Sequence, residues 1–181
     1  MIESREIYLG YQLSELGLTI SVAESFTGGM IAHVITNAPG SSIYFQGGVI
    51  AYANEVKMDI LGVAEQTLID HGAVSRETVL EMARGVRKAL DTDIGISSSG
   101  IAGPDGGSPE KPVGLAWIGL SGTDTEYAEK FLFVGNRLQI KEQAVQTAIE
   151  RLIDLLPQLP QVAKAKDIWH SELSDTNPLM L

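Results

Sequence analysis

Apolar positions along the chain change period several times, and each change marks an element. Leu9, Leu13 and Leu16 recur at helical spacing and stop at Gly17, which predicts a first helix with a glycine C′ residue. The run Leu18-Thr19-Ile20-Ser21-Val22-Ala23 predicts a strand, and Met30 to Thr36 a helix broken by Asn37-Ala38-Pro39-Gly40-Ser41-Ser42. Gly48 to Tyr52 reads as a buried strand, followed by a short helix capped by Asn54, running through Leu61 and ended by Gly62. Ser75 is the expected N-cap of a longer helix with Val79, Met82, Ala83, Val86 and Leu90 on one face.

Ile94 to Ser98 is a third strand, opening into the loop Ser99 to Gly107. Val113–Leu120 and Tyr127–Val134 read as a hairpin joined across Ser121-Gly122-Thr123-Asp124. A last helix is expected from about Leu138 to Leu156, with Val145, Ala148, Leu152 and Leu155 apolar, ended by Pro157 and Pro160. Helices between strands, plus one late hairpin, imply an α/β fold with a mixed, mostly parallel sheet covered on both faces. A single domain over 1–157 is expected, with 158–181, which holds Trp169, as a C-terminal tail.

Composition narrows the chemistry. The chain has 181 residues, 44% hydrophobic and 20% charged, with 13 Lys and Arg against 23 Asp and Glu, a formal charge of −10. An acidic chain without a basic run argues against sequence-independent nucleic-acid binding, which needs phosphate neutralisation. There is no cysteine, which excludes disulfides, thiolate catalysis and cysteine-ligated metals. His33, His71 and His170 are scattered without metal-ligand spacing, and His33 reads as a packed helix residue, so no metal is expected. Neither a basic, apolar leader nor a membrane-length run is present, so a cytoplasmic protein without membrane partners is expected. The Walker spacing is absent, and the Gly100–Gly107 loop lacks the dinucleotide spacing.

Three loops carry candidate chemistry. The turn Ala23-Glu24-Ser25-Phe26-Thr27-Gly28-Gly29 stands where a strand hands over to a helix. It reads either as a tight turn with Ser25 or Thr27 as N-cap, or as a site whose N–H groups hold an anion or an oxyanion beside a serine nucleophile. The segment Tyr52–Lys57 and the loop after Ser99 are the other two, and all three are expected to converge at one sheet edge. Lys57, in the first turn of a helix capped by Asn54, reads equally as a solvated lysine or as a neutral general base for a serine hydroxyl. Glu24 reads as an acceptor that fixes loop backbone, and Arg137 as an anion ligand or a surface ion-pair partner.

The ordered motifs Ala23-Glu24-Ser25-x-Thr27-Gly28-Gly29, Pro39-Gly40-Ser41-Ser42, Tyr52-x-Asn54-x-x-Lys57, Leu61-Gly62-Val63, His71-Gly72-Ala73-Val74-Ser75, Ser99 to Gly107 and Lys111-Pro112-Val113-Gly114 closely resemble the CinA C-terminal domain family, the nicotinamide-nucleotide amidases. The resemblance covers roughly residues 5 to 156. It implies a three-layer α/β/α fold and hydrolysis of nicotinamide mononucleotide to nicotinate mononucleotide and ammonia, a salvage step that needs no cofactor. Longer CinA proteins carry a further N-terminal domain that is not among these 181 residues.

Carried over, the family's Ser/Lys dyad falls on Ser25 and Lys57, with Tyr52, Thr27 and Ser99 orienting dyad or substrate. N–H groups around Gly28 and Gly29 or Gly100 would receive the oxyanion, and loop N–H groups with Arg137 the 5′-phosphate. Ser42, Asn54 and Gly103 complete the implied substrate-binding set, and association into a homo-oligomer is expected. Two positions depart from the family: Phe26 stands where cysteine is usual, and Asn136 where aspartate is usual. A nucleotide-binding or interaction module that kept the fold and lost turnover is the competing expectation.

Overall fold

The computed structural model describes residues 4–160, so most of the expected tail, including Trp169, lies outside the described residues. The helices are α1 (Arg5–Leu16), α2 (Met30–Thr36), α3 (Asn54–Asp59), α4 (Glu65–His71), α5 (Arg76–Ala89) and α6 (Arg137–Leu155). The strands are β1 (Ile20–Glu24), β2 (Phe45–Ile50), β3 (Ile94–Gly100), β4 (Leu115–Gly122) and β5 (Thr125–Leu132). They form one sheet in the order β2-β1-β3-β4-β5. β1 pairs in parallel with both β2 and β3, while β3–β4 and β4–β5 are antiparallel, so four strands point one way and β4 the other. This is the expected mixed α/β sheet. No helix among the described residues is long and apolar enough to cross a membrane.

The two sheet faces are built differently because strand side chains alternate. One face presents Ile20, Val22, Ile94, Ile96, Ile118 and Leu120, packed with Leu9 and Leu13 of α1, Ile31 and Ile35 of α2, and Val145, Ile149 and Leu152 of α6. The other face is made of small residues. Ala23 meets Met82 and Val86 of α5, and the Ser97 hydroxyl donates to Val79 O at 2.6 Å. A Cβ at Gly95 would stand 2.1 Å from Ala83 O, and one at Gly119 2.8 Å from Val79 O. Only glycine lets α5 lie this close to the sheet.

Most predicted boundaries match within a few residues. Gly17 caps α1 at φ 62, and the Ser75 side chain accepts from Thr78 N–H at the start of α5. β2 begins three residues earlier than expected and ends at Ile50, since pairing with β1 sets its register from Ile20 and Phe45 onward. The hairpin is tighter than predicted: only Thr123 and Asp124 separate β4 from β5, with Asp124 at φ 64. Helix α4 was not legible in the apolar pattern, and it buries no residue fully.

β1 connects to β2 on one side and β3 lies on its other side, so the order in which strands are added to the sheet switches sides at β1. Crevices outside the carboxyl ends of strands at such a switch point are where α/β proteins bind ligands. Ser25 follows β1 at this point, and Ser99 and Gly100 end β3 beside it.

Candidate active site

The turn after β1 is organised by Glu24. Its buried carboxylate accepts from the N–H groups of Gly29 and Ile31 at 2.9 and 3.1 Å through Oε2, and of Ala32 at 2.8 Å through Oε1. The positive end of α2 is therefore occupied by the protein's own anion. This corrects the expectation that Gly28 and Gly29 offer their N–H groups to a ligand: Gly29 N–H serves Glu24, and Gly28 N–H donates to Ser25 O at 3.1 Å. Neither Ser25 nor Thr27 caps α2, because Gly29, at φ 95, holds the N-cap position. Thr27 is buried with its hydroxyl 2.7 Å from that of Ser98. Ser25 N–H donates to Ser98 O at 3.0 Å, which ties the nucleophile candidate to β3. The N–H groups of Phe26 and Thr27 have no acceptor among the described residues.

Lys57 is buried, at 1% exposure. Asn54 is the first residue of α3 rather than its cap; Ala53, in extended conformation, takes that place. Because α3 has only six residues, Lys57 lies in its last turn, so the helix dipole is not what depresses its charge. Burial is. Desolvation lowers the Lys57 pKa from the ordinary 10.5, opposed in part by the Glu55 carboxylate. Nζ donates to Ala51 O at 2.9 Å and to Tyr52 O at 3.3 Å. A neutral amine has two N–H donors and one lone pair. In that form the two carbonyls would take both donors and leave the lone pair open to a proton. Among the described residues Nζ makes no hydrogen bond to Ser25 Oγ and no ion pair with Glu24.

One cavity of about 280 Å³ gathers most of the predicted residues: Ser25, Tyr52, Asn54, Lys57, Ser99, Gly100, Gly103 and Arg137. Phe26, Ala73, Val74, Ile101, Ala102, Asp105 and Gly106 complete its lining. Thr27, Gly28 and Gly29 stand behind it in the turn and do not line it. Ser42 is the clear correction. It lies in a 3-10 turn, Ser41–Ile43, that precedes β2, at the sheet edge opposite the cavity, and cannot touch a ligand held there. A larger groove of about 800 Å³ sits at that opposite edge. It sets Arg84, Arg87 and Lys88 against Asp91, Asp124 and Glu126 and contains none of the predicted residues.

Arg137 is exposed, yet its guanidinium is engaged by protein oxygens and makes no ion pair among the described residues. Nη1 donates to Gly103 O and Nη2 to the Tyr52 hydroxyl, each at 2.8 Å. The residue before it, Asn136, forms a capping box with Gln139: Asn136 Oδ1 accepts from Leu138 and Gln139 N–H, and Gln139 Oε1 accepts from Asn136 N–H. Asparagine caps as well as aspartate, so this departure from the family pattern keeps the anchor of Arg137. Phe26, the other departure, is 4% exposed and packs with Ala102, Ala116, Ile140 and Ala144, against β4 and α6 rather than the α2 that follows it. The Ala73–Val74 wall had no assigned role in the sequence reading, although the motif containing it carried the resemblance.

A doubly flanked α/β sheet with a serine and a buried lysine sharing one crevice at the switch point defines the class of protein. Residues 3–156 match the CinA C-terminal domain, and the chain belongs to that family. A protein of Halothermothrix orenii with a competence-damage inducible name is 54% identical over 141 residues, covering 77% of this chain and 34% of that one. A CinA-like protein of Amoebophilus asiaticus is 50% identical over 138 residues, 76% of this chain and 32% of that one. The chain thus spans about a third of the length of these curated relatives. Among solved structures, the competence/damage inducible protein CihA of Agrobacterium tumefaciens is similar at 37% identity and a TM-score of 0.79, over 86% of this chain and 98% of that one. A CinA superfamily protein of Escherichia coli is similar at 31% identity and 0.82, over 86% and 91%.

Proposed function

We propose that this chain hydrolyses the carboxamide of nicotinamide mononucleotide, without a metal, through Ser25 and Lys57. The observation that carries this reading is a lysine whose pKa burial lowers, lining the same cavity as Ser25 at the switch point of the sheet. The substrate comes from the resemblance of this chain's motifs to the nicotinamide-nucleotide amidases.

In this reading Ser25 Oγ bonds to the carboxamide carbon as its proton passes to Lys57 Nζ. The tetrahedral oxyanion is received by the N–H of Phe26, an unpaired donor beside the nucleophile at a residue that lines the cavity. The C–N bond breaks as Lys57 returns the proton to the leaving nitrogen, giving ammonia and an ester on Ser25. Water then attacks the ester, Lys57 takes its proton and passes it to the departing Ser25 oxygen, and nicotinate mononucleotide leaves. Arg137 has guanidinium N–H groups beyond the two engaged by Gly103 and Tyr52, and these hold the 5′-phosphate with N–H groups of the Gly103–Gly106 loop.

A second reading, a nucleotide-binding module without turnover, is favoured by one observation: Nζ is bonded to Ala51 O and Tyr52 O rather than to Ser25 Oγ. Ammonia and nicotinate mononucleotide release by purified protein in the presence of EDTA separates the two. Tight binding of nicotinamide mononucleotide without ammonia supports the module. Activity lost to EDTA and restored by a divalent ion overturns the metal-free mechanism.

A further inference from the structure

Four successive carbonyls in the link between α4 and α5, from His71 to Val74, all accept from side chains. Lys111 Nζ donates to His71 O at 2.7 Å and to Val74 O at 2.9 Å. The Ser75 and Thr78 hydroxyls donate to Gly72 O, each at 2.9 Å, and the Ser99 hydroxyl to Ala73 O at 2.7 Å. A short link with no ladder of its own thereby has its backbone acceptors satisfied by side chains.

Ala73 and Val74 form one wall of the cavity, and Gly103, Asp105 and Gly106 line it from the long connection between β3 and β4. Lys111 belongs to that connection and reaches across to the opposing wall. Its own backbone is fixed: Lys111 N–H donates to the Ser108 hydroxyl at 3.0 Å, and Ser108 N–H donates to Lys111 O at 2.8 Å. The ammonium also passes close to the link, since a Cβ at Gly72 would stand 3.0 Å from Nζ. Lys111 donates to the carbonyl of the last α4 residue, where a cation is favoured. Its hydrogen bonds therefore serve protein carbonyls at a stiff bridge, away from the reacting groups.

We propose that Lys111 is a positioning residue that sets the separation of the two cavity walls, and through it the affinity for the nucleotide. This rests on the proposed amidase reading. Lys111→Met keeps the unbranched stem, lacking only the terminal nitrogen's position, and removes all its donors, whereas Lys111→Arg keeps enough donors for both carbonyls. The test measures kcat and KM for nicotinamide mononucleotide in wild type and both variants, at low and high salt, with hydrogen exchange of the Gly72–Ser75 amides.

The expected result for Lys111→Met is a KM raised at least fivefold at both salt concentrations, kcat within about twofold, and faster exchange in the link. Lys111→Arg should recover most of the KM. An unchanged KM in Lys111→Met overturns the proposal, as does a fall in kcat alone or a KM effect abolished by salt, which would show a distant charge effect. A wild type that neither binds nor hydrolyses the nucleotide overturns the amidase reading and this inference with it. A working wild type with an indifferent Lys111→Met overturns the inference alone.

Discussion

Arg137 and Tyr52 meet over the cavity: the guanidinium donates to the Tyr52 hydroxyl at 2.8 Å although the two residues are 85 positions apart. The same guanidinium holds Gly103 O, so one planar fork joins the segment after β2 to the loop after β3. Lysine offers the charge without the fork. Arg137→Lys should therefore raise KM for nicotinamide mononucleotide about tenfold, ~1.4 kcal/mol, with a smaller change in kcat. Steady-state kinetics at fixed pH checks this, and a wild-type KM would show that charge alone suffices there.

Ser25→Ala should abolish ammonia release and leave the melting temperature nearly unchanged. The Ser25 hydroxyl caps no helix and makes no hydrogen bond among the described residues, so little stability depends on it. Near wild-type turnover in this variant would remove Ser25 as nucleophile.

Lys57 links activity and stability to pH. Its folded pKa lies below the ordinary 10.5, so the neutral form, the one the proposed mechanism needs, is reached at lower pH than for a free lysine. Turnover should rise with pH through that lowered value. Stability has the same sign: between the folded and unfolded pKa values the unfolded chain binds more protons, so stability rises with pH across that window and is lowest below it. Lys57→Met should be inactive and should lose this rise in stability, as urea unfolding at several pH values would reveal. A rise of equal size in the variant would assign the effect to another group.

Phe26→Cys should lower stability by about 3 kcal/mol through loss of a buried ring, while kcat/KM for nicotinamide mononucleotide changes less than tenfold. The ring packs between Ala102, Ala116 and α6. A tenfold gain in the specificity constant would show instead that the ring obstructs the cavity.

Tyr44→Phe should be neutral or stabilising by up to ~1 kcal/mol, since the Tyr44 hydroxyl is buried and has no hydrogen-bond partner among the described residues. Thermal unfolding of the variant is the measurement. A loss above 1 kcal/mol would reveal an unseen partner for that oxygen.

The residues that made the fold legible were those with local signals. Gly17, Ser75 and the alternating apolar runs act within a few positions, and the structure uses them as read. Convergence of the Ser25, Lys57 and Ser99 loops also followed, because parallel strands put their carboxyl ends on one edge. Glu24 also acts as read, an acceptor that fixes loop backbone, although which N–H groups it takes depends on how the turn closes. What escaped is set by where elements stop and by contacts distant in sequence: the placement of Lys57 depends on how soon α3 ends. Ser42 was drawn in by its motif, yet the topology sends it to the far edge. Lys111 stands in a motif that carried the resemblance but had no role assigned to it, for its side-chain partners lie 37 and 40 residues away.

The small-residue face under α5 bears on how this chain can vary. A methyl group at Gly95 or Gly119 would collide with the helix backbone, and one at Gly85 would stand 1.9 Å from Leu61 O, just past the helix that carries Lys57. α5 begins at the link that forms the Ala73–Val74 wall, so displacing it shifts both Lys57 and one side of the crevice. In a saturation scan scored by turnover, these glycines should be as intolerant as Ser25, the proposed nucleophile, and inheritance of the proposed activity would be policed in part from positions that never meet the substrate.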